Sequence, residues 1–206
     1  MKPISDSTIE RLSKYFRSLE GFIRSGKKSL SSEDLADVDT ITSAQVRKDL
    51  SFFGTFGKRG IGYDTDDLYA KIQKIMGLNK KWNVAIVGAG NIGNALINFE
   101  EFKRRGFNIR GIFDSDPNKI GNDMNGLTVH NMENFTQRIK HLDIHIGIIA
   151  APAEYAQSVA DLMVSSGLKA IMNFAPRNIR TPKEIVVRNA NIAINLEMIA
   201  YRLTNK

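Results

Sequence analysis

The chain has 206 residues and no cysteine, which excludes disulfides, thiolate metal sites and cysteine nucleophiles. Its length suits one large domain or two small ones, and 42% hydrophobic with 25% charged residues is an ordinary globular balance. The net charge is +7. Because no apolar run is long enough to span a bilayer and the start lacks the apolar stretch of a signal peptide, we expect a cytoplasmic protein with no membrane partner.

Four helices are predicted in the first part of the chain. The first three begin with capping pairs, in which a polar side chain is followed three residues later by a partner that can complete the cap. These pairs are Ser7 with Glu10, Ser31 with Asp34, and Thr42 with Gln45, and the fourth helix begins at Asp64. The stretch 37–41 reads as a short turn, so the second and third helices predict a helix-turn-helix.

The third helix carries the residues that could read DNA. Val46, Leu50 and Phe53 share one face and are expected in the core. Arginine and glutamine suit base edges, whereas serine and lysine suit phosphates. The outward residues are Ser43, Gln45, Arg47, Lys48 and Ser51. The alternative is a solvated basic surface, which charge alone favours.

A glycine-punctuated basic segment follows the third helix. Residues 55–56 and 61–63 could form two small strands around a tip made of Lys58, Arg59 and Gly60. Such a hairpin after a recognition helix is a wing, and its cations could enter a narrow minor groove. A winged helix that binds protein instead of DNA is the alternative.

Strands and helices alternate from Trp82 onward. The expected strands are buried apolar runs, as in a parallel sheet covered on both faces, so we predict an α/β doubly wound Rossmann sheet. The strands lie at 83–87, 108–114, 144–150 and 169–173, and the helices at 92–104, 132–140 and 153–165. With a linker at 79–81, the chain divides into a winged-helix domain, 1–78, and a Rossmann domain, 79–206.

A glycine fingerprint joins the first of these strands to a helix and predicts an NAD(H) site. Gly88 would permit the tight turn, and Gly90 would let a pyrophosphate approach the backbone closely. Gly93 would let the helix pack closely on the strand. Free N–H groups at the helix start favour phosphate. The segment reads Gly88, Ala89, Gly90, Asn91, Ile92, Gly93. Asp114 would bind ribose hydroxyls and repel a 2′-phosphate, which favours NAD(H) over NADP(H). The alternative is a glycine-rich turn without a ligand.

The nicotinamide is expected near Ala150, Pro152 and Phe174, where ionisable groups are few. Because burying the unpaired charge of the oxidised ring is costly, such a pocket prefers NADH. Phe174 could equally be a core aromatic. None of the histidines falls near this position, so we expect no enzyme and no catalytic residue, although Glu154 and Tyr155 could approach it. The alternative is a small NAD-dependent oxidoreductase.

The last predicted helix, 192–203, has an apolar stripe that could pack on its own sheet or on a partner subunit. From the residues alone, packing on its own sheet is favoured. The stripe consists of Ile192, Leu196, Ile199, Ala200 and Leu203.

Several stretches closely resemble the redox-sensing transcriptional repressors of the Rex family. They are TSAQVRKDLSFFGTFGKRGIGY, VGAGNIG, FDSDPNKIG and NFAP, and the resemblance covers nearly the whole chain. It implies a homodimer that exchanges its C-terminal helix and represses genes of fermentation and anaerobic respiration. NADH binding closes such a dimer and releases double-stranded operator DNA, which two-fold symmetry makes palindromic.

The resemblance also assigns residues. Arg47, Lys48, Lys58 and Arg59 match DNA-contacting positions, and Gly88 to Gly93 with Asp114 match the nucleotide site. Two positions depart from the family pattern. Asn191 stands where some members have an aspartate that pairs with the arginine equivalent to Arg17, and Phe99 stands where tyrosine is frequent.

Overall fold

A computed structural model describes residues 4–57 and 61–205. The chain forms two compact units, Met1–Lys80 and Lys81–Lys206, which we describe separately. None of the helices in the described residues is both long and apolar enough to cross a membrane.

The N-terminal unit is a helical domain with one small antiparallel ribbon. Its elements are α1 Asp6–Arg24, β1 Ser29–Leu30, α2 Ser32–Asp39, α3 Ser43–Ser51, β2 Tyr63–Asp64 and α4 Thr65–Ile75. The apolar stripe of α1 packs against the inner faces of the other helices. The buried core includes Leu12, Tyr15, Phe16, Leu19, Leu35, Val46, Leu50, Leu68 and Ile72. Burial of each large apolar side chain stabilises the unit by roughly 1.5–3 kcal/mol.

Most of the predicted helix caps are confirmed. The side chains of Ser31, Thr42 and Asp64 each accept the backbone N–H three residues later, and Ser31 forms a full capping box with Asp34. The prediction for α1 was wrong, because Ser5 is the N-cap and accepts from the Thr8 N–H while Ser7 is already helical.

The helix-turn-helix is confirmed with a shorter turn than predicted. The helix α2 continues to Asp39, and Thr40 ends it in the left-handed conformation with φ 55°. The turn is therefore confined to the residues between Asp39 and Ser43. Its tightness follows from Thr40, whose backbone N–H still bonds to the Ala36 carbonyl while the chain reverses.

The predicted wing strands differ from the observed ones. Residues 55–56 are not a strand, and β2 pairs with β1 in antiparallel register, Leu30 opposite Tyr63. Gly57 has φ 68°, and a Cβ there would collide with the Gly62 carbonyl, so the two arms approach through bare backbone. Because this contact is made by glycine backbone, the sequence here lacks the alternating side chains that would predict a strand. The tip residues Lys58, Arg59 and Gly60 lie outside the described residues.

The second unit is a doubly wound sheet, which confirms the predicted fold class. Its strands are β3 Trp82–Val87, β4 Phe107–Asp114, β5 Asp123–Met124, β6 Leu127–Asn131, β7 Ile146–Ile149, β8 Ala170–Asn173 and β9 Val186–Asn189. They lie in the order β5-β6-β4-β3-β7-β8-β9, and all pairs are parallel except β5 with β6. The order reverses between β4 and β7 around β3, which is the switch point where open α/β sheets bind ligands.

One of the helices predicted for this unit is broken into two in the structure. The helices are α5 Asn91–Ile97, α6 Glu100–Arg104, α7 Phe135–His141, α8 Ala156–Ser165 and α9 Ile192–Thr204, with a 3₁₀ turn Met132–Asn134 before α7. A single helix over 92–104 was expected, but the Asn98 side chain donates to the Asn94 carbonyl and Phe99 is extended. A side-chain donor on a helix carbonyl competes with the backbone, and here the helix breaks.

The last helix contradicts the preference drawn from the residues alone. None of the residues of α9 is buried in the single chain, so it does not pack on its own sheet. Ile192, Leu196, Tyr201 and Leu203 are each 64–69% exposed.

Candidate functional sites

A cleft of about 910 Å³ opens at the carboxyl ends of the central strands. It is the largest of the described cavities and lies where the sheet order reverses. Most of its lining is apolar. The lining residues are Val87, Gly88, Gly90, Asn91, Ile92, Asp114, Ser115, Lys119, Met132, Ala150, Ala151, Pro152, Tyr155, Ser158, Val159, Leu162, Phe174 and Pro176.

The three fingerprint glycines have three different surroundings. Gly88 has φ 110°, and a Cβ there would meet the Ala150 backbone. A Cβ at Gly93 would collide with the Gly88 carbonyl oxygen, so Gly93 lets α5 lie close on its strand. A Cβ at Gly90 would meet no protein atom within 4 Å, although Gly90 lines the cleft. Protein packing therefore explains glycine at 88 and 93 but not at 90.

The other fingerprint residues divide between cleft and interior. Asn91 and Ile92 line the cleft at the start of α5, where the N-cap Gly90 supplies no side-chain acceptor for the first N–H groups. Ala89 is buried, and its N–H donates to Asp114 Oδ2 at 2.8 Å. Ala89 and Gly93 thus shape the turn without lining the cleft.

Asp114 stands at the end of β4 with its carboxylate held in place. Burial alone would raise its pKa, but N–H groups of Asp116 and Ala89 and the Lys119 ammonium hold the pKa below its usual value. Oδ2 accepts from Ala89 and from Lys119 Nζ at 3.2 Å, and Oδ1 accepts from the Asp116 N–H at 2.9 Å. Because an ionised carboxylate has about four acceptor positions, Oδ1 retains one for a ligand hydroxyl.

Sequence reasoning missed part of this cleft. Lys119 contacts both Asp114 and Asp116, so the carboxylate is not an isolated negative charge. Met132, Val159 and Leu162 form an apolar part of the wall that comes from the 3₁₀ turn and α8. Only Lys119 had a usable signal, since it follows Asp114 within one short turn. The apolar residues come from separate elements, and their meeting depends on the strand order.

The other predicted cleft residues come together. Ala150, Pro152 and Phe174 line the cleft beside Pro176, and Tyr155 lines it at the start of α8. The histidines do not line it. Burial lowers the pKa of His130 in β6, and His145 Nδ1 accepts the Asn83 N–H at the opposite edge of the sheet. Among the described lining residues, the charged side chains are Asp114 and Lys119.

In the N-terminal unit, α3 presents part of its predicted surface. Arg47, Lys48 and Ser51 are exposed, whereas Ser43 and Gln45 are half-buried. Arg47 Nη1 donates to Ser32 Oγ at 2.9 Å and lies 3.5 Å from Glu33 Oε1. The α2 N-terminus therefore orients the Arg47 guanidinium, which keeps further donors.

A buried polar cluster fixes α3 on α1 and was not predicted. The Asp49 carboxylate is fully buried and accepts from Arg11 Nε and Nη2 at 2.6 and 2.7 Å. It also accepts from Tyr15 Oη and Gln45 Nε2, each at 2.8 Å. Burial would raise the pKa of Asp49, but these donors, Arg11 foremost, hold it below its usual value. The Gln45 side-chain amide thus donates to the buried Asp49 carboxylate, and it does not close a capping box with Thr42.

The two positions that depart from the family pattern have clear structural roles. Asn191 is the N-cap of α9, and its Oδ1 accepts from the N–H groups of Ala193 and Ile194. Phe99 is half-exposed and packs edge-on against Phe102 at a ring separation of 5.1 Å.

Comparison with known proteins matches both units. Residues 3–51 match the family model of a putative DNA-binding protein N-terminus, and residues 79–177 match that of a CoA binding domain. The chain is 43% identical over 200 residues to the redox-sensing transcriptional repressor Rex of Syntrophomonas wolfei, covering 97% of this chain and 95% of the relative. It is 41% identical over 206 residues to Rex 1 of Thermotoga maritima, covering 100% and 96%.

Solved structures of related proteins are similar to this chain over nearly its whole length. A crystal structure of RSP in complex with β-NAD⁺ and operator DNA has a TM-score of 0.94 at 37% identity and covers 98% of this chain and 94% of RSP. The complex of RSP with β-NADH has a TM-score of 0.88 at 36% identity and covers 98% and 95%. This chain belongs to the family of redox-sensing transcriptional repressors called Rex.

Proposed function

We propose that this protein is a DNA-binding transcriptional repressor that senses the NADH/NAD⁺ ratio and leaves its operator when NADH binds. The observation that carries the proposal is the near-full-length match to Rex repressors, together with a solved relative bound to both β-NAD⁺ and operator DNA. A repressor works where the DNA lies, so the proposed function implies a cytoplasmic protein.

The cleft fits a nicotinamide dinucleotide. Glycine at 90 is unexplained by protein packing, and a pyrophosphate crossing the turn there supplies the missing reason. The Asn91 and Ile92 N–H groups would face that pyrophosphate, and Asp114 Oδ1 would accept a ribose hydroxyl. The carboxylate would also disfavour a 2′-phosphate, so we propose NAD(H) as the cofactor.

The preference for NADH follows from the other end of the cleft. Ala150, Pro152, Phe174 and Pro176 offer the nicotinamide an apolar wall without a carboxylate. The oxidised ring would bring an uncompensated positive charge to this wall, whereas the reduced ring is neutral. The coenzyme would act here only as a ligand, bound more or less tightly according to the charge of its ring, and no hydride would be transferred.

DNA would be bound by α3 and the segment that follows it. Arg47 and Lys48 are exposed cations, Ser51 lies on the same surface, and Ser43 and Gln45 are half-buried beside it. We propose the wing tip, Lys58, Arg59 and Gly60, as a further contact. Arg47 would read a base edge, and the lysines would bind phosphates.

We propose a homodimer in which α9 is exchanged between subunits. This helix has two apolar stripes on opposite sides, one with Ile192, Leu196, Ile199 and Leu203, the other with Ile194, Met198 and Tyr201. All seven side chains are at least half-exposed in the single chain. A helix that is apolar on opposite sides is stable only when it is covered on both, and a second copy of this chain would supply the cover.

An enzymatic role has little support in the cleft. Proton transfer to a carbonyl substrate needs an acid or base near the nicotinamide, and the described lining offers Tyr155 as the ionisable group at that end. The curated relatives are named as repressors. We therefore propose that the protein is not an enzyme.

Operator binding titrated with each coenzyme tests the proposal. The probe is the DNA duplex that the purified protein enriches from a random-sequence pool, and binding is followed by fluorescence anisotropy. NADH should release the duplex at concentrations where NAD⁺ does not. Equal effects of the two coenzymes would contradict redox sensing, and steady oxidation of NADH with a carbonyl substrate would favour an oxidoreductase.

A further inference from the structure

One buried side chain, Asn173, joins the wall of the coenzyme cleft to the start of α9. It lies at the end of β8 and is 1% exposed. Its carboxamide uses both of its N–H donors and its oxygen in hydrogen bonds within 3.0 Å. A buried amide with this many partners has one orientation only, so it behaves as a fixed junction.

On the cleft side, Asn173 holds both ends of a short loop. Its Oδ1 accepts the Ala175 N–H at 3.0 Å, and its Nδ2 donates to the Arg177 carbonyl at 2.7 Å. Pro176 lies between these two anchors and Phe174 lies between Asn173 and the first of them, and both side chains line the cleft. A displacement of either side chain by a bound coenzyme would therefore act on the amide of Asn173.

On the other side, Asn173 holds the last residue of β9. Its Nδ2 donates to Asn189 Oδ1 at 2.8 Å, and its backbone carbonyl accepts the Ala190 N–H, also at 2.8 Å. The helix α9 follows at once, with Asn191 as its N-cap. No flexible linker separates the junction from the helix, since Ala190 is the one residue between Asn189 and the cap.

We propose that the Asn173–Asn189 pair transmits occupancy of the coenzyme cleft to α9, as a pair of positioning residues that touch neither coenzyme nor DNA. The inference rests on the proposed function. It assigns the coupling between coenzyme and DNA to a defined hydrogen bond, because a ligand shifts a protein between two states only through contacts that differ between them.

The alternative is a purely structural role, in which the amide only closes the loop. Asn189 separates the two roles better than Asn173, because its side chain is exposed and its removal leaves both loop anchors in place. Asn189→Ala deletes the acceptor. Asn189→Asp keeps an acceptor oxygen for Asn173 Nδ2 and should preserve the coupling.

Asn83→Ala provides a matched control. The Asn83 amide also donates two side-chain hydrogen bonds, to the carbonyls of Leu142 and Asp143 at 3.2 and 3.1 Å. It lies in β3 near the amino edge of the same sheet, at the opposite end from the cleft. Its loss should lower the melting temperature without changing the coupling.

The experiment compares full-length wild type, Asn189→Ala, Asn189→Asp and Asn83→Ala. For each protein we would measure the dissociation constant for the enriched duplex without and with saturating NADH, the NADH affinity without DNA, and the melting temperature. The ratio of the two duplex constants is the coupling. In Asn189→Ala it should fall by roughly 3- to 10-fold, the value of one hydrogen bond, with NADH affinity and coenzyme-free duplex affinity within about twofold of wild type.

Two results would overturn the inference while leaving the proposed function intact. One is a wild-type ratio in Asn189→Ala, and the other is an equal loss of coupling in Asn83→Ala. If wild type itself shows no release of DNA by NADH, the proposed function fails and this inference fails with it.

Discussion

Single residues decide how firmly α3 is held, and Asp49 is the strongest case. Its sequence context is ordinary, a carboxylate in a helix of mixed polarity, and the sequence therefore could not predict it. Four donor groups from three residues of α1 and α3 converge on it in the fold. Arg47 and Lys48, by contrast, were predictable as outward cations, because their helical positions follow directly from the burial of Val46 and Leu50.

Asp49→Asn should destabilise the N-terminal unit by about 2 kcal/mol, because a neutral amide cannot accept from Arg11, Tyr15 and Gln45 together. Hydrogen exchange of the α1 and α3 amides in the full-length protein measures the loss. Asp37→Asn, which changes an exposed carboxylate in α2, should leave exchange unchanged. Equal exchange in Asp49→Asn and wild type would show that the buried cluster contributes nothing.

Wild type and Asp49→Asn should also differ in how their unfolding free energy depends on pH. The pKa of Asp49 is lower in the folded state than in the unfolded chain, so its stabilisation is present above the unfolded pKa of about 3.9 and is lost as pH falls through the folded pKa. The difference in unfolding free energy between wild type and Asp49→Asn should therefore be constant near neutral pH and shrink in acid. A difference that grows on acidification would contradict the lowered pKa.

Arg47→Ala should weaken operator binding by about 1–3 kcal/mol if the guanidinium contacts a base edge. The effect should be larger at the operator than on unrelated duplex, which separates base reading from phosphate attraction. Arg24→Ala removes an exposed arginine at the end of α1 and serves as the charge-matched control. Equal losses on both duplexes, measured by anisotropy at one salt concentration, would reduce Arg47 to a phosphate contact.

Asp114→Ala should weaken NADH binding and reduce the discrimination against NADPH. The carboxylate that would repel a 2′-phosphate is lost, while the Lys119 ammonium, now 3.2 Å from an empty position, remains. We expect NADH to bind on the order of tenfold more weakly, about 1.4 kcal/mol. Coenzyme fluorescence titrations measure both affinities, with Asp161→Ala on the exposed side of α8 as the control. Unchanged discrimination would remove Asp114 from the ribose site.

At the scale of elements, buried strands were predictable and edge strands were not. The runs in β3 and β7 are apolar because both faces are covered, and the sequence shows them directly. The edge strand β9 is largely exposed, and Arg188 cuts its apolar stretch short after Val187, so it lacks the longer apolar run of a buried strand. Missing β9 also hid the junction with Asn173, since that contact depends on the pairing of β8 with β9.

The strand-turn-helix unit at the fingerprint allows a sharper test than any single residue. Gly93→Ala places a Cβ against the Gly88 carbonyl and should cost about 1–3 kcal/mol of stability. Gly90→Ala meets no protein atom and should cost under about 1 kcal/mol, the difference between glycine and alanine at an N-cap. Only Gly90→Ala should then weaken NADH binding in a protein that still melts near the wild-type temperature.

Thermal melting and coenzyme fluorescence on the two variants separate these effects. If Gly90→Ala binds NADH as tightly as wild type, the pyrophosphate does not cross the turn at this residue. If Gly93→Ala melts like wild type, the backbone around Gly88 can move, and the close packing of α5 on β3 is weaker than the geometry indicates.

At the scale of the whole molecule, α9 is the element that one chain cannot complete. Its sequence shows one apolar stripe, and from a stripe alone the helix could belong to its own sheet. The second stripe, Ile194, Met198 and Tyr201, lies on the side opposite Leu196 and has the same helical spacing, but spacing does not show what covers either stripe. Because both stripes are exposed in the single chain, the helix supports a protein made of two chains.

Leu196→Lys should shift the protein from dimer toward monomer and weaken operator binding at the same time. A charge on the apolar stripe would be buried without a partner in the exchanged dimer, which costs several kcal/mol, whereas the isolated chain leaves it in water. Asn195→Lys adds the same charge one residue away, between the two stripes, and should leave the dimer intact. Sedimentation velocity over a concentration series measures the mass, and anisotropy measures DNA binding. A Leu196→Lys protein that stays dimeric at the lowest concentration would mean that α9 is not the subunit interface. Loss of the dimer with full-strength operator binding would instead separate DNA recognition from assembly, and a two-fold operator would no longer follow from the fold.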